Sequence, residues 1–377
     1  MEIFISAGEA SGDLHGSCLA RAIWSIAPQT RISCLGGPHM QAEGVPLIVD
    51  NRSLSVVGGT EIIGHIRAFY GAWAKIRSHL LASRPALVVL IDFPDFNLFL
   101  GKFAKKIGAK VFYYISPQVW AWREGRVKRI RKLVDGMAVI LPFEKDFYAS
   151  HGMHVDYVGH PLVDIMADPP DKTQCDRIYH RFNGPLVGLL PGSRQSEIRL
   201  LFDILMDAGR IISRSLPAAR FIIPLASSLD ARDMESRVAR WSLPVQVVHS
   251  DTYRAIRACD LILTASGTVT LEAAILETPM IVVYNVSKLS RQIGKLLIRA
   301  KFAGLPNVIA DREIAPEFVR EEPTGLRLAE CAINLLMNPA LLDEQRLGLR
   351  NIRHQLGVPG ISGRVARLVL DTAGGAL

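Results

Sequence analysis

Short runs of uninterrupted apolar residues alternate along this chain with longer stretches in which apolar positions recur every three or four residues. The runs predict strands buried on both faces, as in a parallel sheet, and the longer stretches predict amphipathic helices packed on that sheet. In the first half the expected strands are residues 2–6, 31–35, 86–92, 110–115, 137–141 and 155–158, with helices at 13–27, 60–82, 96–107 and 123–133. Residues 164–185 interrupt the pattern. They are polar, carry Pro169-Pro170 and Asn183-Gly184-Pro185, and read as an interdomain linker. A second series follows, with strands at 186–190, 220–225, 245–249, 260–264 and 279–283 and helices at 197–215, 229–241, 252–258, 268–276 and 287–301. From Arg327 the pattern is helical to the end. Repeated βα units imply α/β architecture. We expect two Rossmann-like doubly wound domains facing a cleft: residues 1–165, residues 185–350, and a C-terminal helix within 351–377 able to pack back on the first domain. Ligands in such sheets sit at the carboxyl ends of the strands.

The 377 residues fit two such cores better than one. No apolar run reaches the roughly 18 residues of a spanning helix, and no basic-then-apolar leader precedes the first strand. The expected location is therefore the cytosol or the cytosolic face of a membrane. Five scattered cysteines (Cys18, Cys34, Cys175, Cys259 and Cys331) form no CxxC pair or Cys/His cluster, so free thiols are expected and no metal site. A net charge of +8 suits an anionic partner: nucleic acid, anionic lipid or a phosphorylated substrate. No nucleic-acid-binding motif is present, which disfavours the first.

Five segments carry candidate chemistry, each where a strand runs out. Strand one ends in Ser6-Ala-Gly-Glu-Ala-Ser-Gly-Asp13, a glycine-rich turn that is not the dinucleotide fingerprint. It offers Glu9, with Ser11 or Asp13 as simple helix caps. The apolar run at 87–91 delivers Asp92, a partly desolvated acid suited to general-base work; Asp95 fits a helix N-cap. Trp120, Trp122, Arg123 and Arg126 follow the next strand, where indole suits a sugar ring and guanidinium an anion. In the second half, Pro191-Gly192-Ser193-Arg194 opens a helix with exposed N–H groups and a guanidinium, a phosphate site without a Walker lysine. Ser266-Gly267-Thr268 repeats the idea, and Glu272 lies four residues on, on the same helix face, where a carboxylate can accept both hydroxyls of a ribose. Finally, Ile62, Ile66, Phe69, Tyr70, Trp73 and Ile76 form one stripe of the 61–82 helix, rimmed by basic residues. Core packing is the commoner fate of such a stripe; an interfacial helix on anionic lipid is the alternative favoured here.

The motifs GEASGD (8–13), IDFPDFN (91–97), SPQVWAWR (116–123), LPFEKDFY (141–148), VGHP (158–161), LLPGSR (189–194), ASGTVTLE (265–272) and LPN (305–307), in this order and spanning nearly the whole chain, resemble those of lipid-A-disaccharide synthases. The resemblance implies a GT-B glycosyltransferase of Gram-negative lipid A biosynthesis, peripheral on the cytoplasmic face of the inner membrane. It implies inverting transfer of 2,3-diacylglucosamine from UDP to 2,3-diacylglucosamine 1-phosphate, forming a β(1→6) disaccharide, without cofactor or metal. It further implies Asp92 as the essential acid, with Glu9 beside it. Arg194 then meets the donor diphosphate, Glu272 the ribose, and Asn307 the nucleotide. Gly192, Ser193, Ser266, Gly267 and Thr268 complete the nucleotide set. Trp120, Trp122, Arg123, Arg126, Phe69 and Trp73 form the acceptor and lipid set. Arg320 stands where the family pattern leads us to expect Gln. A C-terminally swapped homodimer is also within the family's repertoire. Two rival readings share these features: a UDP-sugar 2-epimerase, and a nucleotide-sugar-binding module without catalysis.

Overall fold

A computed structural model describes residues 1–55, 62–122, 124–179, 182–226, 229–284, 301–319 and 323–374, the side chains of 54–55, 62–68 and 122 excepted. The chain divides into two compact units, residues 1–165 with 356–377, and residues 166–355.

The first unit is built on a seven-stranded parallel sheet. Its strands are β1 (Glu2–Ala7), β2 (Arg31–Gly36), β3 (Leu47–Asp50), β4 (Leu87–Ile91), β5 (Lys110–Tyr114), β6 (Gly136–Val139) and β7 (Asp156–Tyr157), in the spatial order β3-β2-β1-β4-β5-β6-β7. Side chains alternate across the pleat, so β1 feeds two cores at once. Ile3, Ile5 and Ala7 pack with Leu19 and Ile23 of helix Ala10–Ile26 and with Val365 and Val369 of the last helix, Ile361–Ala373. Phe4 faces the other way, into a core with Leu90, with Ile76 and Leu80 of helix Ile62–Ser83, and with Leu100 of helix Pro94–Lys106. Burial on both faces is why these strands are apolar throughout. The last helix is tied in by Asp164, whose carboxylate accepts the N–H groups of Gly360 (2.7 Å), Ile361 (3.1 Å) and Ser362 (3.0 Å).

The second unit repeats the winding with six parallel strands: β8 (Leu186–Leu190), β9 (Arg220–Pro224), β10 (Val245–Val248), β11 (Leu261–Ala265), β12 (Met280–Val283) and β13 (Glu317–Phe318), in the order β10-β9-β8-β11-β12-β13. Helices Gln195–Ser215 and Gly325–Met337 cover one face through Leu201, Leu205, Leu328 and Ala332.

Three features depart from the pattern reading. Residues 164–185, where the two units meet in sequence, contain an unexpected helix: Lys172–Tyr179, with Cys175 fully buried, is held in the second unit by Lys172 Nζ on the carbonyl of Ala258 (3.1 Å). Strands β3 and β13, four and two residues long, and helix Glu144–Ser150 have no counterpart in the expected elements. The expected helix 287–301 lies almost wholly outside the described residues.

In each sheet the strand order reverses once, between β1 and β4 and between β8 and β11. Doubly wound sheets bind ligands beyond the carboxyl ends of the strands at this reversal. The four strands concerned end at Gly8-Glu9, Asp92, Pro191–Arg194 and Ser266–Thr268.

Candidate functional site

At the first reversal Ala7 of β1 pairs with Ile91 of β4, so Glu9 and Asp92 leave adjacent strand ends. Both are half-buried. Asp92 and Phe93 each hold a left-handed backbone, with φ 45° at both. Residues with a Cβ avoid this region, and pairs of them there mark a conformation the surroundings impose. The surroundings are specific. Fully buried Asn97 donates from Nδ2 to the carbonyls of Ile91 (3.0 Å) and Asp92 (2.8 Å), and its Oδ1 accepts the hydroxyl of Ser6 (2.6 Å). Tyr113 Oη donates to the same Asp92 carbonyl at 2.8 Å. The Phe93 ring covers Gly8, where a Cβ would lie 2.1 Å from the ring. Glycine is required at position 8 for this close approach.

Two expectations on this loop are corrected. Asp95 is not an N-cap; the helix opens at Pro94, and Asp95 in its first turn pairs with Arg126 at 2.8 Å. Asp13 does not cap its own helix. Buried there, it accepts the N–H groups of Gly37 (2.7 Å), His39 (2.9 Å) and Met40 (3.1 Å), which fixes the turn after β2.

The aromatic segment after β5 is braced from beneath by Glu144, which pattern reading did not single out. Its carboxylate accepts the N–H groups of Ile140 (3.2 Å) and Leu141 (2.9 Å) and the hydroxyl of Ser116 (3.0 Å), which joins the ends of β5 and β6. Trp120 packs edge-on against Phe143, 4.9 Å between ring centres. Among the described residues its buried indole N–H meets no hydrogen-bond partner, though it lies near enough to Glu144 to favour the carboxylate. The signal for Glu144 was present in the sequence as one acid inside the apolar run Leu-Pro-Phe-Glu. Burial pushes Glu144 up to about 7, against those hydrogen bonds. The folded-state value is raised above the ordinary one, so this group's contribution to stability is full below about pH 4.5 and is lost as pH rises through about 7. Glu144→Gln, neutral at every pH, is expected to flatten the thermal-stability profile between about pH 5 and about pH 8 and to raise the melting temperature at the alkaline end. A variant melting curve that keeps the wild-type pH slope would remove Glu144 as the titrating group.

Arg123 lies outside the described residues, as does the side chain of Trp122. Phe69 and Trp73 turn inward: Phe69 meets Phe96 edge-on at 5.1 Å, and Trp73 meets Phe99 at 4.5 Å and Phe103 at 5.1 Å. Ile76 is fully buried, while Tyr70 is exposed; the side chains of Ile62 and Ile66 are outside the description. Phe69 and Trp73 are thus half-buried against the core, and beside them Tyr70 and Phe99 reach the surface. Phe99 belongs to a groove of about 530 Å³ between helices Pro94–Lys106 and Val127–Leu133, floored by Leu98, Phe99 and Leu133 and rimmed by Lys102, Arg126, Arg129 and Lys132, with Asp95 as its single acid.

At the second reversal Leu190 of β8 pairs with Thr264 of β11. The N–H groups expected to receive phosphate are already engaged. Those of Ser193 (2.9 Å) and Arg194 (3.2 Å) both donate to Glu197 Oε2, an internal carboxylate capping helix Gln195–Ser215. Gly192, at φ 116°, leaves the space that Glu197 fills; a Cβ there would lie 2.3 Å from that oxygen. The Arg194 side chain is open to an anion, 70% exposed and 3.8 Å from Glu197. Across the reversal Gly267 and Thr268 are exposed, with open space where a Cβ on Gly267 would be. Ser266 instead binds inward, its hydroxyl on the Ala303 carbonyl at 2.8 Å.

Glu272 sits in the first turn of helix Val269–Ile275, and burial alone lifts its carboxyl to about 7. Asn307 is corrected. It is fully buried, with Nδ2 on the Ala315 carbonyl (2.7 Å) and Glu317 (2.7 Å), and Oδ1 accepting the N–H groups of Ile314 (2.7 Å) and Ala315 (3.0 Å). An amide has two donor hydrogens and two acceptor sites, so none is left for a nucleotide. Asn307 and Glu317, which also holds the N–H groups of Ala303 and Gly304 at 2.8 Å each, frame the loop to which Ser266 is tied. Arg320 lies outside the described residues. Among the described residues no group of three or more His, Cys, Asp or Glu could hold a metal ion, and no helix is long and apolar enough to cross a membrane.

The fold has wide company. The UDP co-structure of MnaA from S. aureus superposes with a TM-score of 0.68 at 11% identity, covering 100% of this chain and 97% of that one. MurG of Acinetobacter baumannii does so at 0.61 and 15%, covering 98% and 99%. At these identities the likeness is one of fold, and the GT-B type is common to them. Sequence is more selective. The family model described as lipid-A-disaccharide synthetase matches residues 3–357. The lipid-A-disaccharide synthase of Geobacter metallireducens is 42% identical over 375 residues, 99% of this chain and 97% of that protein. The chain belongs to the lipid-A-disaccharide synthetase family. A second family member, from Nitrosococcus oceani, is 40% identical over 370 residues, 98% of this chain and 95% of its own. All the motifs quoted above, from GEASGD to LPN, fall inside the stretch the family model matches.

Proposed function

We propose that this chain is an inverting hexosyltransferase. It moves 2,3-diacylglucosamine from its UDP derivative to the 6-hydroxyl of 2,3-diacylglucosamine 1-phosphate, releasing UDP and the β(1→6) disaccharide 1-phosphate. The observation that carries the reading is the coincidence of chemistry with topology. In a member of this family, the acids Glu9 and Asp92 leave the strands at one sheet's reversal, and Arg194 and Glu272 follow the strands at the other's.

The step is a single displacement. Asp92 takes the proton of the acceptor 6-hydroxyl as its oxygen attacks the anomeric carbon. The bond from that carbon to the diphosphate oxygen breaks, and UDP leaves with the electron pair. Arg194 meets the charge growing on the departing diphosphate, a contact worth more in the transition state than in the ground state. Glu272 accepts the ribose hydroxyls. The test is incubation with UDP-diacylglucosamine, with and without the monosaccharide 1-phosphate. Disaccharide formed only with acceptor is the expected result; UDP released equally without acceptor would point to epimerisation or hydrolysis.

The same reading brings the first unit to anionic lipid, since both substrates carry acyl chains. The groove on helices Pro94–Lys106 and Val127–Leu133 supports it, with four cations to one carboxylate around an apolar floor. Such a rim suits a phosphorylated amphiphile at a membrane surface. Reversing charge at Arg129 and Lys132, both exposed, with Glu is expected to weaken flotation with phosphatidylglycerol vesicles while UDP binding holds. Unchanged flotation would move the lipid surface elsewhere.

A further inference from the structure

The left-handed pair Asp92-Phe93 raises the question of what keeps it in place. Among the described residues three neighbours grip its main chain. Asn97, from the first turn of helix Pro94–Lys106, holds the carbonyls of Ile91 and Asp92 and ties them to Ser6 of β1. Tyr113, from β5, donates its hydroxyl to the Asp92 carbonyl. The Asp92 N–H donates to the carbonyl of Tyr114 at 3.2 Å. Burial, with the Asp92 charge adding to it, pushes the Tyr113 phenol well above its ordinary range, so it remains a donor throughout the working pH range. Without these anchors the segment would relax toward the right-handed or extended regions open to residues with a Cβ, and the Asp92 carboxylate would leave the carboxyl edge of the sheet.

We propose that Asn97 and Tyr113 are positioning residues for transfer, holding Asp92 in a strained backbone conformation that aims its carboxylate at the acceptor. Ser6 extends the clamp to the strand that bears Glu9. The proposal rests on the reading of Asp92 as base. A misplacement of the order of 1 Å at a reacting group costs about 100-fold in rate, so a loosened clamp acts on kcat while the donor, held by the second unit, binds as before.

The experiment is a double-mutant cycle. Tyr113→Phe deletes one hydroxyl and keeps the packed ring; Asn97→Ala deletes the larger anchor. Each is combined with Asp92→Asn, with kcat, KM for the UDP donor and melting temperature measured throughout. The expected result for Tyr113→Phe is a fall in kcat of about 10–100-fold at unchanged donor KM, with no further fall when Asp92 is already Asn. Should Asn97→Ala fail to fold, Tyr113→Phe carries the test alone. The proposal is overturned if Tyr113→Phe leaves kcat unaltered, or costs the same factor with and without the Asp92 carboxylate, as a merely structural hydroxyl would. The reading beneath it fails in a different way: Asp92→Asn alone would keep most of its turnover.

Discussion

Asp92→Asn is expected to lower turnover about 10²–10⁴-fold, the usual worth of a general base, while UDP binds as in the wild type. Asparagine is the fair test here. It matches the carboxylate in size, and it tolerates the left-handed region that Asp92 occupies at φ 45° better than most residues. The grip of Asn97 and Tyr113 is on the main-chain carbonyl, which the substitution leaves in place. The loss is thus chemical and not a consequence of a refolded loop. Alanine, by contrast, would add the cost of a left-handed backbone to the loss of the acid, and the two could not be separated. UDP affinity holds because the groups assigned to the nucleotide lie on the other sheet. Single-turnover rates and calorimetry with UDP make the measurement. A variant that keeps most of its turnover would pass the role to Glu9, which leaves the neighbouring strand β1.

The two-sheet architecture was readable because a strand buried on both faces must be apolar at every position. Runs such as 87–91 have no other economical explanation when helical periodicity follows them. Spatial strand order is not written in any run; it emerges from right-handed crossovers. The edge strands β3 and β13 escaped because neither has an uninterrupted buried run, β13 being two residues long and only half-buried. The helix within the 164–185 segment escaped because the composition of a linker is also that of a short surface helix with one buried face, here centred on Cys175.

At the site, sequence found the strand ends and missed the saturation of what lies there. The serine and arginine N–H groups of the 192–194 loop look open to phosphate until Glu197 is seen to occupy them. Asn307 looks like a ligand until all of its hydrogen-bonding capacity is seen to be spent within the second unit. Both are consequences of side-chain and backbone groups three to ten residues away, and no motif encodes which partner a buried amide or a helix N-terminus has chosen. Phe69 and Trp73 show the same limit for apolar residues, because a stripe fixes which side of a helix is apolar but not what covers it.

Glu272→Gln is expected to weaken UDP binding about 100-fold, the worth of a charge-assisted hydrogen bond of ~1.5–3 kcal/mol, and to remove its dependence on pH. In the free protein burial lifts this carboxyl to about 7, and among the described residues no hydrogen bond or cation offsets it. A buried acid left without donors costs stability when charged, and the sign follows. With a folded-state value raised above the ordinary 4.5, stability from this group is full below about pH 4.5 and lost as pH rises through about 7. The ligand reverses the balance. Two ribose hydroxyls donating to the carboxylate favour its charged form, so UDP binding draws the proton off. Affinity is then full above about pH 7 and falls as pH drops below it, by up to about tenfold per unit. The Gln variant keeps an acceptor oxygen but no charge. It should melt higher than wild type at about pH 8, bind UDP weakly, and bind it equally at about pH 6 and about pH 8. Calorimetry in two buffers of different ionisation enthalpy reads the proton directly: near pH ~6.5 wild type releases more proton on binding UDP than the variant, whose release comes from the diphosphate's own ionisation alone. Equal proton release from both proteins would place the ribose on another group, and a variant that binds UDP as tightly as wild type would sink the assignment of Glu272 outright.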